Sequence, residues 1–324
     1  MSVLVDIDPK LVVKHKLANF LHSLLLLSGM VVLLGFLGWS IAGEEGIKWM
    51  VVLGAIMLIL GPRISPNIVL MLYGARPLSK EEIPALFDIV ERLCERARLD
   101  YIPRLYYIQT SIPNAFTIGT RSNAIITVSA GLLEHLEFRE IAGVIAHEIS
   151  HIQNNDMWIM NLSDVISRLT SVFSLTGQLL FILNLPIIII TGYQIPWLPI
   201  FILIFAPVIS MLLQLALSRA REFDADLGAA ILTGDPEGLA MALAKMERYQ
   251  SNLLSRIFFP GYKEPYPSLL RTHPETEERI KRLMSLVNKK PLFEALDGLT
   301  EYFVPEHLIS TGQKPRWRIG GIWY

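Results

Sequence analysis

The sequence predicts a mainly α-helical chain with a small β-sheet (α+β), in which four membrane-spanning helices carry a polar domain. Three observations predict it. Hydrophobic residues make up 52% of the 324 residues against 18% charged, and mean hydropathy is +0.43, too apolar for an ordinary soluble domain. Residues 17–43 and 169–218 contain no Asp, Glu, Lys or Arg. The remaining segments have ordinary polar content, with helix caps, short strand-like runs and turn signals.

A helix crossing about 30 Å of hydrocarbon needs about 20 mostly apolar residues. Residues 17–43 supply one crossing. Residues 49–72 supply a second, with Arg63 between Pro62 and Pro66 marking its end. Residues 169–218 are long enough for two, and residues 191–197 read as a hairpin turn with Tyr193 and Trp197 at interface depth. Lys10, Lys14 and Lys16 precede the first span, Arg63, Arg76 and Lys80 follow the second, and Arg219 and Arg221 follow the fourth. The two loops on the other side carry only Lys48. This bias places both termini and the polar segments in the cytoplasm. Ser40-Ile41-Ala42 resembles a signal cleavage site, but the apolar run far exceeds the usual ~7–15 residues, so a retained anchor is expected.

The chain divides into 1–76 with spans one and two, a polar block 77–160, a membrane hairpin 161–218, a second polar block 219–290, and a C-terminal extension 291–324. Ser79 followed by Glu82 reads as a capping box opening a helix, with Ile83, Leu86, Phe87, Val90, Leu93 and Cys94 on its apolar face. Strands follow over 104–109, 115–118 and 124–128, the last two joined by a turn at 119–123. A helix covers 137–155. Asp235-Pro236 starts another, and Pro274 a last one with Glu275, Glu277 and Glu278 in its first turn. Net charge is −1, which gives no case for nucleic acid as a partner. Cys94 is the only cysteine, so no intrachain disulfide can form.

The strongest chemical signal is Ala146-His147-Glu148-Ile149-Ser150-His151. On a helix, residues i and i+4 share a face, so His147 and His151 can aim both imidazoles at one ion. Glu148, offset by one residue, can reach a water at an open coordination position without being a ligand. That is the His-Glu-x-x-His pattern of a zinc peptidase, with the glutamate as catalytic base. The bland alternative is a pair of ordinary helical histidines, against which stands the apolar face of Ile141, Val144, Ile145, Ile149 and Ile152. A third ligand is required. In Ser218-Arg219-Ala220-Arg221-Glu222-Phe223-Asp224-Ala225-Asp226, Glu222 and Asp226 are again i and i+4. Glu222 is the candidate ligand, and Asp226 the acceptor of a ligand histidine's free ring N–H. A solvated charged helix end is the alternative there.

These residues resemble the HtpX family of membrane-bound zinc metalloproteases. The likeness rests on HEISH with Ile152-Gln153-Asn154-Asn155-Asp156, on SRAREFDAD, on Pro113-Asn114-Ala115-Phe116 and the Gly131-Leu132-Leu133 turn, and on Thr272-His273-Pro274 with Arg279-Ile280. It spans residues 17 to 287. It implies a zincin-like (gluzincin) protease domain with one Zn2+ per chain held by His147, His151 and Glu222, with Glu148 as base. It also implies ATP-independent endoproteolysis of misfolded or damaged membrane proteins in a prokaryotic plasma membrane, with polypeptides as substrates and the lipid bilayer as surroundings. Asp224 stands where bacterial members often have His. Asn114, Ala115 and Phe116 open a strand that is either an edge strand onto which substrate adds or an ordinary core strand. His273 is either an oxyanion stabiliser that swings toward the metal or a water-exposed helix-start histidine. His15, His22, His135 and His307 show no partner pattern. The Arg/Trp-containing end of the tail, residues 317–324, is expected to rest at the membrane interface.

Other readings have specific weaknesses. An intramembrane protease would bury the motif in a span, whereas Arg139, Glu140, Gln153, Asn154, Asn155 and Asp156 frame it. The resemblance to a CAAX prenyl endopeptidase would imply about seven spans. A non-catalytic zinc-binding chaperone would close its ion with four protein ligands, and no fourth is evident.

Overall fold

The charge-free stretches become helices far longer than any others among the described residues. The computed structural model describes residues 9–60, 66–192, 197–258 and 276–286. Three helices are long and apolar enough to cross a membrane: α1 (Pro9–Leu60), α6 (Asp156–Thr191) and α7 (Trp197–Thr233). They pack on one another through Met30, Leu37, Met50, Leu169, Leu203 and Ala206. Outward they present Leu25, Val32, Leu183, Ile190 and Phe201, an apolar exterior of the kind that hydrocarbon covers.

Helix α1 is not a straight rod. Ala42 and Gly43 leave helical geometry, Gly43 at φ 59° and ψ −140°. A methyl group added at Gly46 would overlap the Gly38 carbonyl, and one added at Gly38 would lie 2.7 Å from Met50 Cγ. In a straight helix residues eight apart are separated by about 12 Å along the axis, so the chain doubles back at Ala42–Gly43. Small residues at the crossing let the two backbones touch.

Pro207 lies inside α7. It lacks the N–H that would bond the carbonyl of Leu203 one turn earlier. Two α6 side chains satisfy that oxygen instead: the Ser174 hydroxyl and the Gln178 amide, the latter at 3.3 Å. Over the expected second span, residues 49–72, α1 runs to Leu60 and a short helix, α2, covers Pro66–Leu72. Arg63 lies outside the described residues, as do 193–196 of the expected hairpin turn.

The polar blocks form one unit. A four-stranded sheet has the order β1-β2-β4-β3, made of β1 (Arg76–Pro77), β2 (Arg104–Ile108), β3 (Ala115–Thr120) and β4 (Asn123–Ser129). β2 and β4 run parallel, and β3 pairs antiparallel with β4 through a tight turn in which Thr120 opposes Asn123. β3 is therefore an edge strand. Helix α3 (Pro84–Ala97) packs Leu86, Val90, Leu93 and Cys94 into the core shared with α5 (Phe138–Asn154) and α8 (Pro236–Phe258). Burial pushes the Cys94 thiol up to about 12, leaving it unreactive.

The expected capping box at Ser79 does not open α3. Its N-cap is Ile83, with Pro84 at the first position. The Glu82 carboxylate does accept from the Ser79 N–H, at 3.2 Å, and also makes a two-point contact with Arg76 at 2.7 and 3.1 Å, but residues 80–82 form only a turn and the helix begins at Pro84. A complete box opens α5, where Glu140 accepts from the Glu137 N–H. The Gly131-Leu132-Leu133 turn is part of a short helix, α4 (Ala130–His135), capped by the Ser129 hydroxyl. Asp235 caps α8 as expected, accepting from Gly238 N at 2.9 Å. The last described helix is α9 (Thr276–Met284).

The close approach in α1 gives a direct test. Gly46→Leu should lower the unfolding midpoint in detergent by the equivalent of about 1–3 kcal/mol, the usual cost of overpacking. An unchanged midpoint would show that the two arms do not touch there.

Candidate metal centre

Helix α5 carries His147, Glu148 and His151 on the face toward α7, while Ile145, Ile149 and Ile152 are fully buried in the core. It ends at Asn155, whose left-handed backbone (φ 57°) lets its N–H reach the carbonyls of His151 and Ile152. Asparagine tolerates this conformation better than other residues with a side chain. The chain turns there and restarts at once as α6, whose first residue is Asp156.

That turn has a chemical consequence. His151 Nδ1 lies 2.8 Å from Asp156 Oδ2, and His147 Nδ1 lies 3.0 Å from Asp226 Oδ1 on α7. Each ring thus gives its Nδ1–H to a carboxylate, which leaves the two Nε2 atoms facing each other at 3.1 Å. Two lone pairs at that distance need a cation between them, either a proton or a metal. Burial would lower the His147 pKa, but Asp226 and Glu222 outweigh it and push the ring up to about 10.

Glu222, four residues before Asp226 on α7, completes the set. Its carboxylate lies 3.4 Å from His147 Nε2 and 3.8 Å from His151 Nε2. His147, His151 and Glu222 each offer one ligand atom, and these lie within 4.8 Å of one another. Ligands at about 2.0–2.1 Å around a tetrahedral ion are about 3.3 Å apart, close to the spacing found. The donors, two neutral imidazoles and a carboxylate, suit a divalent ion such as zinc. The surrounding charge is mainly acidic, with the carboxyl groups of Glu148, Asp156, Glu222, Asp224 and Asp226 near the guanidinium groups of Arg221 and Arg279.

Glu148 sits beside the pair and is itself buried. Its Oε2 accepts from the Thr117 hydroxyl of β3 at 2.7 Å, which ties the edge strand to the helix. Asn114 immediately precedes β3, with its N–H on Ser129 Oγ at 2.8 Å, and Ala115 and Phe116 begin the strand. Phe116 packs against Tyr73, ring centroids 5.3 Å apart. His273 lies outside the described residues, as do residues 287–324.

The structure therefore gathers His147, Glu148, His151, Glu222 and Asp226, as the sequence predicts. Four neighbours had no role assigned from sequence. Asp156 holds His151, and Arg221 lies against Asp156. Thr117 holds Glu148. Arg279, on α9, grips Asp226 with two bonds of 2.6 and 2.8 Å and reaches Glu222 at 3.3 Å. Burial works against the charge on Arg279, yet Asp226 and Glu222 hold its pKa above the ordinary value. Asp226, whose burial alone would raise its pKa, is kept below the usual carboxylate range by Arg279 and His147.

A His-Glu-x-x-His helix facing a glutamate from a second helix, on top of long apolar helices, defines a membrane metallopeptidase. Residues 81–287 match peptidase family M48. Protease HtpX homologs from Salinibacter ruber and Ralstonia nicotianae are 34% and 32% identical, covering 84% and 83% of this chain and 99% and 96% of those proteins. The homolog from Sulfurihydrogenibium is 33% identical over 84% of this chain and 98% of its own. The chain belongs to peptidase family M48, within its HtpX group, and is a metalloprotease. Among solved structures it is similar to the crystal structure of S. mikatae Ste24p, with a TM-score of 0.45, 20% identity, and coverage of 84% of this chain and 66% of that one.

The Arg279 grip is testable without any assay of activity. Arg279→Met leaves the buried carboxylates of Asp226 and Glu222 without their guanidinium partner, which should destabilise the fold by about 3–5 kcal/mol. Denaturant unfolding in detergent reads this directly. A loss below the measurement error would mean that the pair is not buried as described.

Proposed function

We propose that this chain is a zinc endopeptidase that cuts misfolded or damaged membrane proteins at the cytoplasmic face of a prokaryotic plasma membrane. The observation that carries the reading is the pair of facing Nε2 atoms with a carboxylate beside them. His147, His151 and Glu222 hold one zinc ion per chain, Asp226 fixes the tautomer of His147, and Glu148 is the base. The doubling back of α1, added to α6 and α7, supports four crossings. The Lys/Arg bias supports termini and site in the cytoplasm. On this reading residues 1–76 hold the first two spans, 77–160 and 219–290 share the protease unit, 161–218 form the second membrane hairpin, and 291–324 are an extension.

When bound, zinc supplies Lewis acidity to a carbonyl oxygen and brings the pKa of water to about 7. The protein does the rest. Substrate backbone adds along the free edge of β3 from Asn114, Ala115 and Phe116 onward, held by main-chain hydrogen bonds that ignore side-chain identity. This suits a broad range of unfolded polypeptides. Glu148, held through Oε2 by Thr117, takes a proton from the attacking water and passes it to the leaving amide nitrogen. His273 is placed in this scheme as a donor to the developing oxyanion.

Cleavage of casein by detergent-purified protein is the measurement. Glu148→Gln should abolish it, a fall of at least about 10²–10⁴-fold, while zinc stoichiometry stays near one. A variant that cuts as fast as the parent removes Glu148 from the mechanism. In a separate assay, Glu222→Ala should strip the metal. Undiminished zinc content would mean that another group is the third ligand.

A further inference from the structure

His151 and His147 are anchored differently. The partner of His147, Asp226, lies one helical turn from Glu222 on α7. The partner of His151 is Asp156, five residues further along its own chain. On one helix, five residues would place Asp156 about 140° around the axis from His151, so only the turn at Asn155 brings it back. Such a contact needs external support, and Arg221 supplies it. Arg221 is buried, with its Nε 2.9 Å from Asp156 Oδ1 in an ion pair and its terminal nitrogen bonded to Asp224. Asp224 in turn accepts from Asn154 Nδ2 on α5 at 3.4 Å and from Asn19 Nδ2 on α1 at 3.5 Å. A continuous polar chain thus runs from His151 through Asp156, Arg221 and Asp224 to the first membrane helix.

We propose that Arg221 is a positioning residue that fixes the Asp156–His151 contact and, through Asp224 and Asn19, makes retention of the metal depend on the docking of α1. The inference rests on the zinc reading above. Arg221 touches neither ion nor substrate, and its planar group bridges two carboxylates in a way that a lysine's single ammonium does not reproduce. Loss of Asp156 support frees the His151 ring to rotate, and partners of this kind are worth about 10–100-fold in metal affinity.

The test is zinc affinity of the detergent-purified full chain, by competition with a chromophoric chelator, beside thermal unfolding with the metal removed. Arg221→Gln should weaken zinc binding about 10–100-fold, and Arg221→Lys should recover only part of it. Asp224→Asn, which keeps the shape, should weaken binding without lowering the metal-free melting temperature to a matching degree. Asn19→Leu should have a smaller effect, about threefold, as expected for one weak hydrogen bond. Parental affinity in Arg221→Gln and Asp224→Asn overturns the proposal. So does a loss of affinity that only tracks the loss of metal-free stability. Unchanged affinity in Asn19→Leu removes α1 from the chain. If the parent itself takes up no zinc, the underlying metal reading fails instead.

Discussion

The approach of α5 to α7 sets everything else. Gly228 on α7 lies so close to Ser150 on α5 that a methyl group there would overlap the serine hydroxyl. Ser150 immediately precedes His151, and Gly228 follows Asp226 by two residues. The contact therefore fixes the distance between the helix that carries the imidazoles and the helix that carries the carboxylates. A larger residue at either point would push the helices apart. The 3.0–3.8 Å spacings of His147 and His151 to Glu222 and Asp226 could not survive that shift.

The same two helices connect the site to the apolar bundle. Helix α7 runs unbroken from Trp197 to Thr233, so Glu222 and Asp226 extend the helix that packs Leu203 and Ala206 among α1 and α6. Helix α5 turns into α6 at Asn155, and Asp156 is the first residue of α6. The buried polar contacts of the bundle, Ser174 and Gln178 on the carbonyl freed by Pro207, and Ser167 on Ser210 at 3.1 Å, give α6 and α7 a defined register. Apolar packing alone would let long helices slide. Because α7 carries the candidate ligand Glu222 and α6 continues directly from the helix of the two histidines, register in the bundle bears on the geometry of the site.

The parts legible in the sequence are those governed by short periodicity. His147 with His151, and Glu222 with Asp226, are each one helical turn apart, so spacing alone puts each pair on one face. The apolar runs, the strand triplet and the Asp235-Pro236 helix start are similarly local. What could not be read depends on backbone reversals and distant partners. Asp156 meets His151 only because Asn155 adopts a left-handed conformation, which spacing does not encode. Thr117 meets Glu148 because β3 is an edge strand crossing above α5, and Arg279 arrives from 53 positions beyond Asp226. The capping pattern at Ser79 shows the limit of a local rule: Glu82 does reach back to the Ser79 N–H, but the contact closes only a turn, and the helix starts four residues later than that cap implies, at Pro84.

Charge explains why such distant residues are needed. Beside the candidate ligand Glu222 stand further carboxyl groups: Asp156 and Asp226 on the two imidazole rings, Asp224 behind them, and Glu148 next to the pair. Buried together they would repel one another and favour protonation. Arg279 pairs with Asp226 and Glu222, and Arg221 with Asp156 and Asp224. Arginine suits both places because its fork binds two oxygens at once and stays charged when buried. One guanidinium comes from α9 and the other from α7 itself. The candidate metal centre is therefore not built by the His-Glu-x-x-His helix and its partner alone: α9, distant in sequence, docks against them and supplies Arg279.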